Sequence, residues 1–345
     1  MEDNNINKVD KTCPTHIDYL FNITKDSYTN YILDNSFIIF ISVDNILCLV
    51  YYSEERNIIL YDLSNQQKIS ELKYHHIYSL TNFQHITDKK NRKDLLMSVS
   101  SDNNNIIIWD VCCLECILNI IKVNDSGILF SACFLNDKDN IFILSSNCST
   151  SPFCIKFEPI KVFDLNGKKI KEIENSNDKT YFLNTYYDNN LSKNFIITCN
   201  FNYLKSYDYE KNEIYKKYYD KDDGAHYTFI IYENENKINL MESSNSGIVR
   251  IWDFHSAAFL KKISVRDKRI FGICLWNNEN LFAGCEDGKI RLIEIGSGDV
   301  VTTMEGHTDF VLTIKIINHS KFGECLISKG FKTDQIKIWS LKNKK

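Results

Sequence analysis

Seven times along this chain of 345 residues an alternating apolar stretch runs into an aromatic or apolar residue, followed by a small polar or acidic one. The copies are NIILYDL (57–63), NNNIIIWDV (103–111), PIKVFDL (159–165), YLKSYDY (203–209), SGIVRIWDF (246–254), GKIRLIEI (288–295) and QIKIWSL (335–341). With Tyr61, Trp109, Phe163, Tyr207, Trp252, Ile293 and Trp339 as anchors, the successive steps are 48, 54, 44, 45, 41 and 46 residues. A period of roughly 40–50 residues marks a repeat architecture in which each unit is a small sheet that cannot bury its own faces.

Within the units the text alternates strand and turn. LFAGCEDGKIRLIEI (281–295) reads as an apolar strand, an Asp287-Gly288 turn and a second alternating strand, a strong local hairpin signal. INLMESSNSGIVRIWDF (238–254) and LLMSVSSDNNNIIIWDV (95–111) repeat that order, and shorter strands such as FLKKIS (259–264) follow each hairpin. Three anchors read Trp-Asp or Trp-Ser, and EGHTDFV (305–311) sets a Gly-His pair one strand pair ahead of Trp339. These features resemble the WD-repeat family of β-propellers over about residues 17–341. The resemblance implies an all-β fold, a seven-bladed β-propeller with four-stranded blades. In that family a buried network joins the His of the Gly-His pair, a Ser or Thr, a turn Asp and the Trp. Carried over, it falls on His307, Ser328, Asp334 and Trp339, with His76 a second candidate. The other units depart from the pattern, so apolar packing between sheets is expected to hold them, and 21 Phe and 19 Tyr supply it.

The last unit lacks a fourth strand after Trp339, while IDYLFNIT (17–24) stands ahead of the first unit, which opens near residue 37. Pairing 17–24 with 335–341 closes the ring and covers an open sheet edge. The expected organisation is a disordered tail over 1–14, one propeller over 15–341 and a basic tail over 342–345.

A net charge of −4 supplies no broad positive field for neutralising phosphates, which disfavours nucleic acid as the main partner. The longest apolar run, FIIFISV (37–43), is far short of the ~20 residues that cross a bilayer. The polar segment before Pro14 does not read as a signal peptide. The expectation is a soluble protein of the cytoplasm or nucleus. Twelve cysteines then read as reduced and mostly buried, Cys133, Cys199, Cys274 and Cys325 among them. Cys113 and Cys116 form a lone Cys-x-x-Cys, assigned to an outer strand where alternation sends them to opposite faces, so no metal site is expected.

No catalytic constellation emerges: glycine-rich phosphate loops, Gly-x-Ser-x-Gly and His-Glu-x-x-His are all missing. Asp222 and Asp223 near His226 read as a solvated turn between blades. Loops carry function on rigid scaffolds, so departures from the period are informative. The 54-residue step contains SSNCSTSPFCIKFEP (145–159), an insertion between the second and third strands of blade three with Phe153 as first candidate, then Ile155 and Phe157. VRDKRIF (265–271) joins blades five and six; Arg266, Lys268 and Arg269 suit an acidic peptide or a phosphorylated partner, with Lys329 and Lys332 of ISKGFKTD (327–334) expected nearby. FQHITDKKNRKD (83–94) reads as a long connection on the opposite face, carrying Lys89, Lys90, Arg92 and Lys93.

The function expected is a non-catalytic protein–protein interaction scaffold that presents loops to partner proteins or peptides within a complex, without cofactor or metal. Alternatives are a phosphoinositide-binding propeller at membranes and the substrate receptor of a ubiquitin ligase; an enzyme is the least favoured class. Oligomeric state and partner identity are left open by the sequence.

Overall fold

Alternating apolar residues in a strand bury one face only, whereas a run such as Ile106-Ile107-Ile108-Trp109 demands cover on both. In the computed structural model, cover comes from neighbouring sheets. The structure describes residues 16–22, 37–53, 57–72, 80–101, 104–120, 123, 128–146, 157–221, 224–234, 236–265, 269–331 and 335–342. Its described residues form 28 strands in seven four-stranded antiparallel sheets, the blades of a β-propeller, and no helix. Blades one to six span 37–72, 80–120, 132–172, 180–218, 226–264 and 270–304. Blade seven joins residues 311–342 to the strand His16–Asn22.

That N-terminal strand runs antiparallel to Ile336–Lys342, with Tyr19 opposite Trp339 and their rings edge to face at 5.5 Å. The ring is therefore closed by strand pairing between the two ends of the chain. In each blade the first strand lies innermost, against its counterparts in adjacent blades, and the fourth lies outermost and exposed.

Seven apolar clusters fill the seven gaps between blades. Successive strand residues serve different gaps: Ile107 and Trp109 pack toward blade one, Ile106 and Ile108 toward blade three. Every anchor faces the preceding blade. Tyr207 lies with Leu144 and Val162 of blade three, Trp252 with Phe195 and Tyr218 of blade four, and Trp339 with Phe282 and Leu292 of blade six.

The residue after the anchor has a local task. Asp62 Oδ1 accepts from the amides of Ser64 and Asn65, and Asp110, Asp164, Asp208 and Asp253 accept likewise from Cys112, Asn166, Lys211 and Ser256. Such side chains mimic a backbone turn and end the third strand. A bulge at the anchor and a left-handed residue in the turn, such as Gln66, Leu114 or Gly167, then start the fourth strand.

Two expectations need correction. Residues 83–94 are not a long connection: Leu80–Asp88 and Lys93–Ser100 are strands meeting in a tight turn, 89–92, because Asp88 caps it and Arg92 takes positive φ. Lys93 donates to Asp110 at 2.6 Å. Cys113 lies in a turn, where its amide donates to Asp110, and only Cys116 is on the outer strand; both are exposed.

Removing residues 1–24 leaves Ile336–Lys342 as an unpaired edge, which templates pairing with other chains. The shortened chain is expected to run at higher mass in light-scattering chromatography and to melt at lower temperature; an unchanged mass and melting point would contradict the closure.

Candidate interaction face

Antiparallel order sends the connections to two faces. Links between blades, and those between second and third strands, share the face termed upper here; the other hairpins form the lower face. Blade seven shows how an anchor ties to the upper face. Trp339 Nε1 donates to Ser328 Oγ at 2.8 Å, and His307 Nε2 lies 2.7 Å from the same hydroxyl. Gly306 ahead of it has φ +152°, and a Cβ there would stand 3.0 Å from the Trp339 ring, which is why glycine precedes the histidine. Asp334 and His76 fall outside the described residues. Blade two carries the same bond, from Trp109 Nε1 to Ser98 Oγ at 2.9 Å. Ser98 and Ser328 occupy one place in the repeat, two residues past the strand partner of the anchor.

In blade five that place holds Glu242, directly opposite Arg250 and fully buried with it. Arg250 Nη1 lies 3.3 Å from Glu242 Oε1 and its Nε donates to Asp220 Oδ2 at 2.9 Å, while His226 Nδ1 lies 2.8 Å from Glu242 Oε2. His226 thus belongs to a buried ion cluster rather than a solvated turn, and Asp222 and Asp223 are outside the described residues.

Arg250 is one of a series. Two residues before the anchor, blades three to seven place Lys161, Lys205, Arg250, Arg291 and Lys337. Four of these cations reach carboxylates in upper connections: Lys161 to Glu158 at 2.5 Å, Lys205 to Asp178 at 2.5 Å, Arg250 to Asp220, and Arg291 to Asp287 through two nitrogens. Strand thereby latches loop, with low side-chain freedom. The signal was legible as a basic residue two places before each of the last five anchors, a pattern masked by reading those strands only for apolar alternation.

Aromatic rings gather at the start of the inner strands. In blades four, five and six the second inner-strand residue, Tyr181, Tyr227 and Phe271, is skipped in the pairing register and so bulges. Tyr227 and Phe271 have centroids 4.9 Å apart, Phe271 stacks on Phe310 at 5.3 Å, and Phe310 on Phe331 at 5.8 Å. Phe130 meets Tyr181 at 6.1 Å. These contacts make an arc around the upper mouth of the ring, with Tyr181, Tyr227, Phe310 and Phe331 only half-buried. Arg269 stands beside it, its Nε 3.9 Å from Glu286.

Of the loop residues singled out from sequence, Phe153, Ile155, Arg266, Lys268 and Lys332 lie outside the described residues. Phe157 is half-buried, and its carbonyl accepts from Asn177. Lys329 requires correction: it sits within the strand Gly323–Gly330 at 0 % exposure, because the strand continues to Gly330 and turns this residue into the sheet. It has no surface to offer a partner.

Two clefts lie on the lower face. One, between blades one and two, is lined by Ser42, Asp44, Cys48, Asp94 and Cys112. Burial, with Asp62 and Asp94 adding to it, pushes the Cys48 thiol up to about 11, so it is not a thiolate nucleophile at neutral pH. The other, between blades two and three, includes Asp88, Asp139 and Asp164, of which Asp88 and Asp164 cap turns. Among the described residues no group of three His, Cys, Asp or Glu is arranged to hold a metal, and no helix is long and apolar enough to cross a membrane. No protein-family model and no curated protein matches the sequence.

Removing one member of a buried ion pair costs about 3–5 kcal/mol because the other charge is stranded. Glu242→Ala is expected to lose about that much in urea unfolding, and Lys138→Ala, on the exposed rim, less than about 1 kcal/mol; equal losses would discard the cluster's special standing. A second expectation concerns acid. The Arg291 hydrogen bonds hold the Asp287 carboxyl below its usual range. A depressed carboxylate contributes stability fully above its unfolded pKa, about 3.9, and loses it as pH falls through the lower folded value. Asp287→Asn should therefore melt lower than the parent at pH 6, with the gap narrowing toward pH 3; a gap constant with pH would assign the pair no role.

Proposed function

We propose that this chain is a divergent WD-repeat propeller that acts as a non-catalytic scaffold, presenting its upper face to partner proteins or peptides within a multiprotein complex. The observation that carries the reading is the arc of rings at the upper mouth, where Tyr181, Tyr227, Phe310 and Phe331 are half-exposed and Phe130 and Phe271 are buried against them. Rings that stack on one another above a rigid sheet lose little freedom when a partner covers them, and buried aromatic anchors dominate interface energies. The latches support the same reading, since they stiffen the upper connections that flank the arc. No reaction, cofactor or metal enters it.

The test is affinity purification with quantitative mass spectrometry, comparing the parent chain with Tyr227→Ser/Phe331→Ser. Each anchor ring contributes about 2 kcal/mol or more at such interfaces, so partners are expected to fall by about tenfold or more with the variant. Circular dichroism and melting temperature establish that the variant is folded. An identical partner set from parent and variant, or none from either, counts against the reading.

A further inference from the structure

Blades four and five share an unusual pairing. Across their third and fourth strands, Lys205 stands directly opposite Lys217, and Arg250 directly opposite Lys262. Like charges facing each other across a sheet are destabilising unless a counter-charge intervenes. Blade five supplies one. Asp220 Oδ2 lies 2.9 Å from Arg250 and 3.7 Å from Lys262, so a single carboxylate serves both cations.

Blade four places Asp178 in the corresponding connection but divides it differently. Its Oδ2 takes Lys205 at 2.5 Å and its Oδ1 accepts from the Tyr203 hydroxyl at 2.6 Å. Lys217 has no carboxylate among the described residues. Its ammonium rests over the Tyr203 ring, 3.9 Å from the centroid, and 5.7 Å from that of Tyr219. Two large rings face solvent at this end of the blade: Tyr219, 55 % exposed, and Phe201, 51 % exposed in the turn that leads to Tyr203. Lys217 is thus an exposed cation beside exposed rings, at the position where its counterpart in blade five, Lys262, has Asp220 for a partner.

We propose that this upper corner of blade four binds an acidic segment of a partner protein: one carboxylate does for Lys217 what Asp220 does for Lys262, and a neighbouring aromatic or large aliphatic side chain covers Phe201 and Tyr219. Charge complementarity selects an anion, and the rings select an apolar companion to it. A long polyanion is the poorer fit, because it needs several free cations, whereas the chain as a whole is negative and the neighbouring cations Lys205 and Arg250 are already paired with Asp178 and Asp220. The inference names a partner class for the scaffold reading and rests on it.

The probe is a fluorescein-labelled peptide of 12 residues, Asp and Glu around a central Phe, titrated with the full chain by fluorescence anisotropy. Saturable binding is expected, weakening between low and moderate salt. Lys217→Glu and Phe201→Ser should each weaken it by about tenfold or more, since a charged hydrogen bond or an anchoring ring is worth that much. Lys138→Glu carries the same charge change on another exposed site and should leave it unchanged. Parallel titrations use a 12-nucleotide oligouridine and phosphatidylserine vesicles. Tighter binding of either, equal loss in Lys138→Glu and Lys217→Glu, or no peptide binding overturns the inference. If the peptide fails while partners still depend on Tyr227 and Phe331, the scaffold reading stands and only this corner's assignment is lost.

Discussion

Each four-stranded blade carries two apolar faces that only its neighbours cover, so the packing between blades carries the fold. Seven clusters, each shared by two adjacent blades, bury the anchors against the blade before them. Fully burying one large apolar side chain contributes about 1.5–3 kcal/mol, against about 0.5–1.5 kcal/mol net for a hydrogen bond. That difference explains why the polar network of the last blade can be missing elsewhere. Phe163, Trp252 and Ile293 keep their places by packing, without the bond to serine. It also explains why closure matters: without the strand His16–Asn22, blade seven would present an open edge outside Trp339.

On this frame the polar groups are organised by face. Asp residues after the anchors cap turns on the lower face and so are used up in local structure. Cations before the anchors point the other way and latch upper connections through Glu158, Asp178, Asp220 and Asp287. Blade five takes this furthest, with Glu242 where Ser98 and Ser328 stand in blades two and seven. A serine hydroxyl there accepts the tryptophan N–H; a glutamate brings a charge that must be paired, and Arg250 and His226 surround it. Trp252 Nε1 consequently finds no acceptor among the described residues.

The upper face is thus both stiff and chemically uneven. Its centre offers stacked rings, and its corner over blade four offers a cation over tyrosine with two rings in solvent. The lower face offers capped turns and clefts whose acids largely have structural employment. Recognition by shape and charge, with the scaffold unchanged, is the behaviour this distribution supports.

The period of the anchors, the hairpin between second and third strands, and the spare strand ahead of residue 37 were legible in the sequence because each is a local pattern repeated at fixed spacing. They determined the blade count and the closure. The tertiary structure alone decided where polar residues go. Lys329 reads as a loop cation, yet the strand runs one residue further and buries it. His226 reads as part of a loop with Asp222 and Asp223, yet its partner is Glu242 across a sheet. The mouth arc joins residues from Phe130 to Phe331 whose proximity no local window contains. Alternation along a strand is set by backbone geometry within a few residues, whereas charge pairing and ring stacking are set by which blades the closed ring makes neighbours.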